Sequence, residues 1–156
     1  MSEEKTKIDA NIPAGWKRGG ATDTFGAVAG PYYWREDGAP GVAFLAEQKH
    51  LNLAGMVHGG ALLTLADMAI FDGFFKAGEQ FYGVTVSLNS EFLAPGRPGD
   101  FIIGVGEPVR VGKSLLIGRG MLTAGDRTLL TFSGVLKRLN APRGGAKETD
   151  APSGSP

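Results

Sequence analysis

The chain has no cysteine and only two histidines, His50 and His58. Without Cys there is no disulfide, no thiolate metal site and no Cys nucleophile. Two His rule out a site built on three histidine ligands from one chain. An excess of one charge is also missing, because 16 Lys and Arg balance 16 Asp and Glu. A general nucleic-acid binder needs a net basic face, so that class is set aside. No long apolar run is present. The richest stretch, 61–75, is interrupted by Asp67 and Asp72 and is too short and too polar to span a bilayer. The N-terminus, Met1-Ser2-Glu3-Glu4-Lys5-Thr6-Lys7, is charged and lacks the apolar segment of a secretory signal. A cytoplasmic protein without a membrane segment is the expectation.

What remains is ordinary globular composition. Hydrophobic residues make up 42% and charged residues 21% of 156 positions, enough for one domain with a real core. The domain is expected over 13–140, after a flexible leader, 1–12. A disordered tail, 141–156, has no apolar residue larger than Ala or Pro. Glycine is abundant at 25 residues, and many glycines are expected in tight turns.

Between the ends the pattern changes once. Short aromatic and β-branched runs from Phe25 to Leu45 suggest two strands. A loop from Asn52 to Gly60 leads into a helix, Ala61 to Phe75, that stops near Gly73 and Gly78. Period-two alternation then begins. In Gly83 to Asn89, the residues Val84, Val86 and Leu88 share one face and Thr85, Ser87 and Asn89 the other. Turns at Pro95-Gly96, Gly112-Lys113 and Gly125-Asp126 separate further strands at Phe101–Val111, Ser114–Ala124 and Arg127–Lys137. Such spacing reads as an antiparallel meander. The helix is apolar almost all round, through Leu62, Leu63, Leu65, Ala66, Met68, Ala69, Ile70 and Phe71. A surface helix would carry a polar stripe, so this one must be covered on most sides. An α+β fold follows, with an antiparallel sheet wrapped around one long helix and a partner subunit covering the rest.

Asp67 is the first candidate for chemistry. A carboxylate in a buried helix costs several kcal/mol unless it is paired, hydrated or protonated. It either reaches an aqueous edge, bonds Thr64 or a strand hydroxyl, or does chemistry. His58-Gly59-Gly60 comes next. Glycines let backbone lie against a ligand, and a helix N-terminus offers free N–H groups for a developing oxyanion. The same tripeptide also serves as a plain turn. Asn52 orients either the loop or a water, or is a turn residue. Thr85, Ser87 and Asn89 can support a carboxylate or face solvent.

Spacing constrains how these can cooperate. Gly59 and Asp67 lie about 12 Å apart along one helix at about 1.5 Å per residue. Catalytic groups must come within about 3 Å of the reacting atoms or one water away. If Gly59 and Asp67 act on one carbonyl, they come from two chains across a two-fold axis.

The order Asn52, Val57-His58-Gly59-Gly60, Leu65-Ala66-Asp67 and Gly83-Val84-Thr85-Val86 resembles the hotdog-fold thioesterases of the phenylacetate-pathway type. It also resembles the mammalian acyl-CoA thioesterase 13 group. The likeness covers about Gly41 to Leu139. It implies a hotdog fold and hydrolysis of an acyl-CoA with no cofactor or metal. Asp67 would be nucleophile or general base, and the Gly59 N–H the oxyanion donor. Asn52 and His58 would position carbonyl or water, and Thr85 would stand where relatives often have Ser. The family is built as dimers, usually paired into tetramers, with the site between subunits. CoA phosphates need cations. Gly60, Arg97, Arg110 and Lys113 are the candidates for substrate contact, with Arg119 and Arg127 also available. Two other readings stand beside hydrolysis. One is a non-catalytic acyl-thioester binding protein. The other is a hotdog dehydratase, although no carboxylate sits where such enzymes place theirs. Phe71, Phe74, Phe75, Phe81 and Tyr82 are either core or the wall of an aryl or fatty pocket.

Overall fold

The computed structural model describes residues 11–21 and 23–141. Most of the expected leader and tail lies outside them. Two short strands come first, β1 (Trp16–Gly19) and β2 (Tyr32–Arg35), with a one-turn helix α1 (Phe25–Ala29) between them. Strand β3 (Val42–Leu45) and a 3-10 turn (Gln48–His50) lead to the long helix α2 (Gly59–Lys76). Four longer strands follow: β4 (Tyr82–Phe92), β5 (Phe101–Val111), β6 (Leu115–Ala124) and β7 (Arg127–Leu139). Among the described residues no helix is long and apolar enough to cross a membrane.

All seven strands form one sheet in the order β1-β2-β3-β5-β6-β7-β4, and every pair is antiparallel. The expected meander holds for β5, β6 and β7 but not for β4. That strand pairs with β7 and forms one edge of the sheet, while β3 lies beside β5. Residues 93–100 are therefore a crossing, not a hairpin. They run past the start of α2, where the Val57 N–H donates to the Gly96 carbonyl at 2.9 Å.

Helix α2 lies on one face of the sheet through Leu62, Leu65, Ala66, Ala69, Ile70 and Phe74, all buried. Burying a side chain of the Leu, Ile or Phe type contributes about 1.5–3 kcal/mol. The opposite stripe is apolar too but only half-buried at Leu63, Met68 and Phe71, with Phe75 exposed. Gly73 does not stop the helix, as the sequence suggested; it sits inside it. A Cβ at Gly73 would lie 2.3 Å from the Gly106 carbonyl oxygen, and one at Gly106 would lie 2.3 Å from that of Ala69. These two glycines let helix backbone touch sheet backbone. The high glycine content thus serves helix–sheet contact inside the strands as well as the turns.

Strand β4 also departs from strict alternation. A bulge falls between Thr85 and Ser87 in its pairing with β7. Thr85 lies opposite the buried Leu136, and Leu88 lies opposite Gly134, beneath Ile70. Both face the helix. Ser87 and Asn89 pair with Val135 and Ser133 on the far side. The expected row of Thr85, Ser87 and Asn89 is broken because a bulge adds one residue and inverts the parity beyond it.

Candidate active site

The loop before α2 is held by its own backbone. Asn52 Oδ1 accepts from the N–H groups of Ala54 (2.9 Å) and Met56 (3.2 Å), and the Asn52 N–H donates to the Met56 carbonyl at 2.7 Å. Gly55 turns the chain at φ +76, a value L side chains rarely adopt. The His58 N–H donates to the His50 carbonyl at 2.8 Å. Asn52 is therefore a turn residue through its oxygen. Its amide nitrogen has no acceptor among the described residues and lines a groove with Gly59.

His58 caps the helix. Its Nδ1 accepts from the Gly60 N–H at 2.8 Å, which leaves the ring's proton on Nε2. The N–H of Ala61 donates to the His58 carbonyl at 2.9 Å, and that of Leu62 does so at 3.3 Å. Of the four N–H groups that open the helix, only that of Gly59 has no acceptor among the described residues. It faces a groove of about 250 Å3 walled by Asn52, Val57, Leu62, Phe92 and Pro95. A Cβ at Gly59 would press the Phe92 ring at 3.3 Å. Gly60, also a candidate, has its N–H turned back onto His58.

Asp67 is half-buried. The Thr85 hydroxyl donates to its Oδ1 at 2.5 Å, reaching across from β4. Its Oδ2 has no donor among the described residues. Thr64, the other hydroxyl in question, donates instead to the Gly60 carbonyl at 2.9 Å. Asp67 opens onto a pocket of about 510 Å3 lined by Phe25, Leu63, Thr64, Met68 and Leu88, with Gly26 at its margin. The structure brings Asp67 and Thr85 together. It groups Asn52, His58 and Gly59 separately, on an opening that shares no lining residue with the first.

The cations divide in the same way. Arg127 donates to Asp100 and to the Pro95 carbonyl, pinning the crossing loop, and Arg119 pairs with Glu107. Arg97, Arg110 and Lys113 are exposed and have no anionic partner among the described residues. Arg97 lies before β5 and the other two at its far end, about 30 Å away at about 3.3 Å per residue. One chain cannot bring all three to one nucleotide.

The aromatic residues of the helix end form a cluster. Phe81 stacks on Phe71 at 5.7 Å between centroids, and Phe75 lies 5.2 Å from it. None of them lines either opening. The aromatic that does line the Asp67 pocket is Phe25, on a short helix that precedes the two strands expected between Phe25 and Leu45, β2 and β3. Its signal was the Thr24-Phe25-Gly26 start of a short turn, too brief to show any period.

Two buried polar groups complete the electrostatics. Burial pushes the His50 imidazole below its ordinary value, with smaller contributions from its neighbours. Burial likewise pushes the Asp72 carboxyl up, against the opposing pull of the Gly41 N–H and Lys76.

The chain is similar to several known proteins. A Pseudomonas aeruginosa protein, PA0474, whose name proposes an esterase, is 29% identical over 128 residues, or 80% of this chain and 96% of its own. Protein BH2602 of Bacillus halodurans, solved with CoA, superposes with a TM-score of 0.62 at 26% identity, over 70% of this chain and 73% of its own. The phenylacetic acid degradation protein PaaI of Thermus thermophilus, solved as a point mutant, gives 0.57 at 25% identity, over 64% and 84%. The fold is that of the hotdog proteins, as the sequence motifs implied. Residues 54–131, which hold Gly59, Asp67 and Thr85, match the family model of the thioesterase superfamily, and the chain belongs to that superfamily.

Proposed function

We propose that this chain hydrolyses an acyl-CoA to the free acid and CoA. The observation that carries the reading is the state of Asp67. One carboxylate oxygen is held by Thr85, the other has no donor among the described residues, and Asp67 lines a largely apolar pocket. Such a carboxylate can take a proton from water as it attacks the thioester carbon. It can equally attack that carbon itself, forming an anhydride that water then opens. The carbonyl oxygen gains negative charge in either route, and the Gly59 N–H is the donor suited to receive it. His58 caps the first helical turn through the Gly60 N–H, and Asn52 lines the same groove as Gly59. The CoA held by BH2602 and the esterase name of PA0474 support the substrate class.

Gly59 and Asp67 open onto different pockets, so one site that uses both needs two chains. Strand β4 offers the means, because it is an edge strand with Val84 and Val86 exposed. On its helix side Phe92 lies beside Gly59 and Thr85 beside Asp67. Antiparallel pairing of β4 with its copy about a two-fold near Leu88 sets Phe92 across from Thr85 of the partner subunit. That brings Gly59 of one chain toward Asp67 of the other. We therefore read the active unit as a homodimer, with dimer pairs as the next level. Arg97, Arg110 and Lys113 are the cations we assign to the CoA phosphates, contributed by different chains.

The test is thiol release from aryl and aliphatic acyl-CoAs by wild type and Asp67→Asn, with mass measured in the same buffer. Turnover lost in the variant is expected, from a species of at least two chains. Undiminished turnover by Asp67→Asn refutes its role. Full activity in a strict monomer refutes the composite site. Tight binding with no thiol released from any substrate points to a binding protein.

A further inference from the structure

Helix α1 is unusual in this fold because it buries none of its own residues. Phe25 is 68% and Val28 74% exposed. Water alone gives so short a segment little reason to hold a helical turn, so it is kept in place by its ends. The Ala27 N–H donates to the Thr24 carbonyl at 2.9 Å, and the Gly30 N–H to that of Gly26 at 2.8 Å. The Ala29 carbonyl accepts from His50 Nε2 at 2.8 Å. His50 is buried, takes the Glu47 N–H on its Nδ1 at 2.9 Å, and through its own carbonyl receives the His58 N–H. One buried histidine, through its ring and its backbone carbonyl, thus ties α1 to the loop that carries His58 and Gly59.

What α1 contributes is a wall. Phe25 and Gly26 line the open Asp67 pocket together with Leu63, Thr64, Met68 and Leu88. The space, about 510 Å3, falls within the range of small-ligand sites, about 300–1,000 Å3. Its walls are apolar apart from Asp67 and Thr64, and no Lys, Arg or His is among them.

From these observations we infer that Phe25 sets the acyl selectivity of the site. The inference rests on the thioesterase reading for its choice of ligand. The phenyl ring lies over the acyl group and fixes how much of it the pocket accepts. A larger ring shortens the pocket, and a methyl group opens it to solvent. In a hydrophobic pocket one methylene more or less changes rates by about 10–200-fold, so the effect is measurable.

The experiment compares wild type, Phe25→Ala, Phe25→Trp and Val28→Ala on acetyl-, hexanoyl- and benzoyl-CoA. The readout is the ratio of kcat/KM for each substrate to that for acetyl-CoA. Phe25→Trp should cut the hexanoyl-to-acetyl ratio tenfold or more, and Phe25→Ala should cut it about fivefold. Val28→Ala, on the same helix but outside the pocket lining, should leave it unchanged. Binding of S-hexyl-CoA relative to CoA, measured by calorimetry on the same proteins, does not depend on turnover. Phe25→Trp should weaken it fivefold or more. Ratios and relative affinities equal within twofold across the Phe25 variants overturn the assignment of Phe25. They do so whether or not Asp67→Asn abolishes hydrolysis, so the two readings fail separately.

Discussion

Asp67 and Asp72 sit on the same helix, a little over one turn apart, in quite different surroundings. Asp72 is buried, with 6% of its surface exposed, and its Oδ2 takes the Gly41 N–H at 2.7 Å. That bond fastens the start of β3 to the helix. Asp67 is only half-buried. It keeps one oxygen on Thr85 and turns the other toward a pocket. Burial alone would have marked Asp72 as the unusual carboxylate, since burial is what raises its proton affinity. Access marks Asp67. A carboxylate that reacts needs a spare oxygen, a partner that leaves it spare and room for a substrate beside it. Asp72 lacks the room, and Asp67 has all three.

The sharpest way to break this contrast is to remove each charge in turn. Asp67→Asn keeps the shape and loses the charge that the proposed base or nucleophile needs. Thioester turnover should fall by about 100-fold or more, within the span that positioned acid–base groups supply. Its melting temperature should stay within a few degrees of wild type. Asp72→Asn should leave turnover near the wild-type rate. If the two variants lose activity equally, the division into a reacting and a fastening carboxylate is wrong. A smaller step is Thr85→Val, which removes the hydroxyl from Asp67 and keeps the branched shape. Hydrogen bonds to charged groups contribute about 1.5–3 kcal/mol, so kcat should fall by about tenfold or somewhat more. Thr85→Ser should restore most of it. A Val variant as active as wild type would mean that the hydroxyl has no part in orienting Asp67.

The contrast was half legible in the sequence. Asp67 stood out because a charge interrupted an apolar helix next to His58-Gly59-Gly60, and spacing alone put Gly59 out of its reach. Thr85 followed from its place on the next strand. The same periodicity misled for Leu88, Ser87 and Asn89. A bulge leaves no compositional trace in Gly83 to Asn89, yet it inverts everything after it. The place of β4 at the sheet edge was also hidden, since residues 93–100 carry the Pro-Gly signal of a hairpin and instead make a crossing. Gly73 read as a helix stop because contact between helix and sheet backbone has no local signature. Phe25 was missed for the opposite reason. Its helix is too short to show a period, and its position depends on His50, distant in sequence.

His50 sharpens the comparison from the side of the other buried polar group. Both of its ring nitrogens are engaged, with the Glu47 N–H and the Ala29 carbonyl. His50→Phe fills the space and leaves both of those backbone groups without their partner. Each such loss costs about 1–3 kcal/mol, so the urea midpoint should drop clearly while Asp67 chemistry persists. The pH dependence has a definite sign. Burial holds the folded His50 below its ordinary value. The unfolded chain therefore binds the proton first as the medium acidifies. The stability His50 brings is full above the ordinary histidine range, near 6.5, and is lost as pH falls through the folded value. In wild type minus His50→Phe, the stability difference should shrink below about pH 6.5. A difference that stays flat down to pH 5 would show that the ring does not sit neutral in the fold.

Asp72 gives the smallest effect and the opposite slope. Its folded carboxyl is held above the ordinary range, so the folded chain keeps a proton at pH values where the unfolded chain has released it. The stabilisation from that proton is full below the ordinary value, about 3.9, and is lost as pH rises through the folded value. At neutral pH the buried charge is a cost, offset in part by the Gly41 N–H. Asp72→Asn keeps an oxygen for that N–H and removes the charge. Urea unfolding at pH 7 should show the variant more stable than wild type by about 0.5–1 kcal/mol, a fraction of the desolvation cost of a buried polar group. The advantage should fade toward pH 4, where wild type is itself increasingly neutral. An Asn variant less stable than wild type at pH 7 would mean that the ionised carboxylate, with its bond to Gly41, is what fastens β3 to the helix. The two aspartates of α2 would then differ in access alone and not in the cost of their charge.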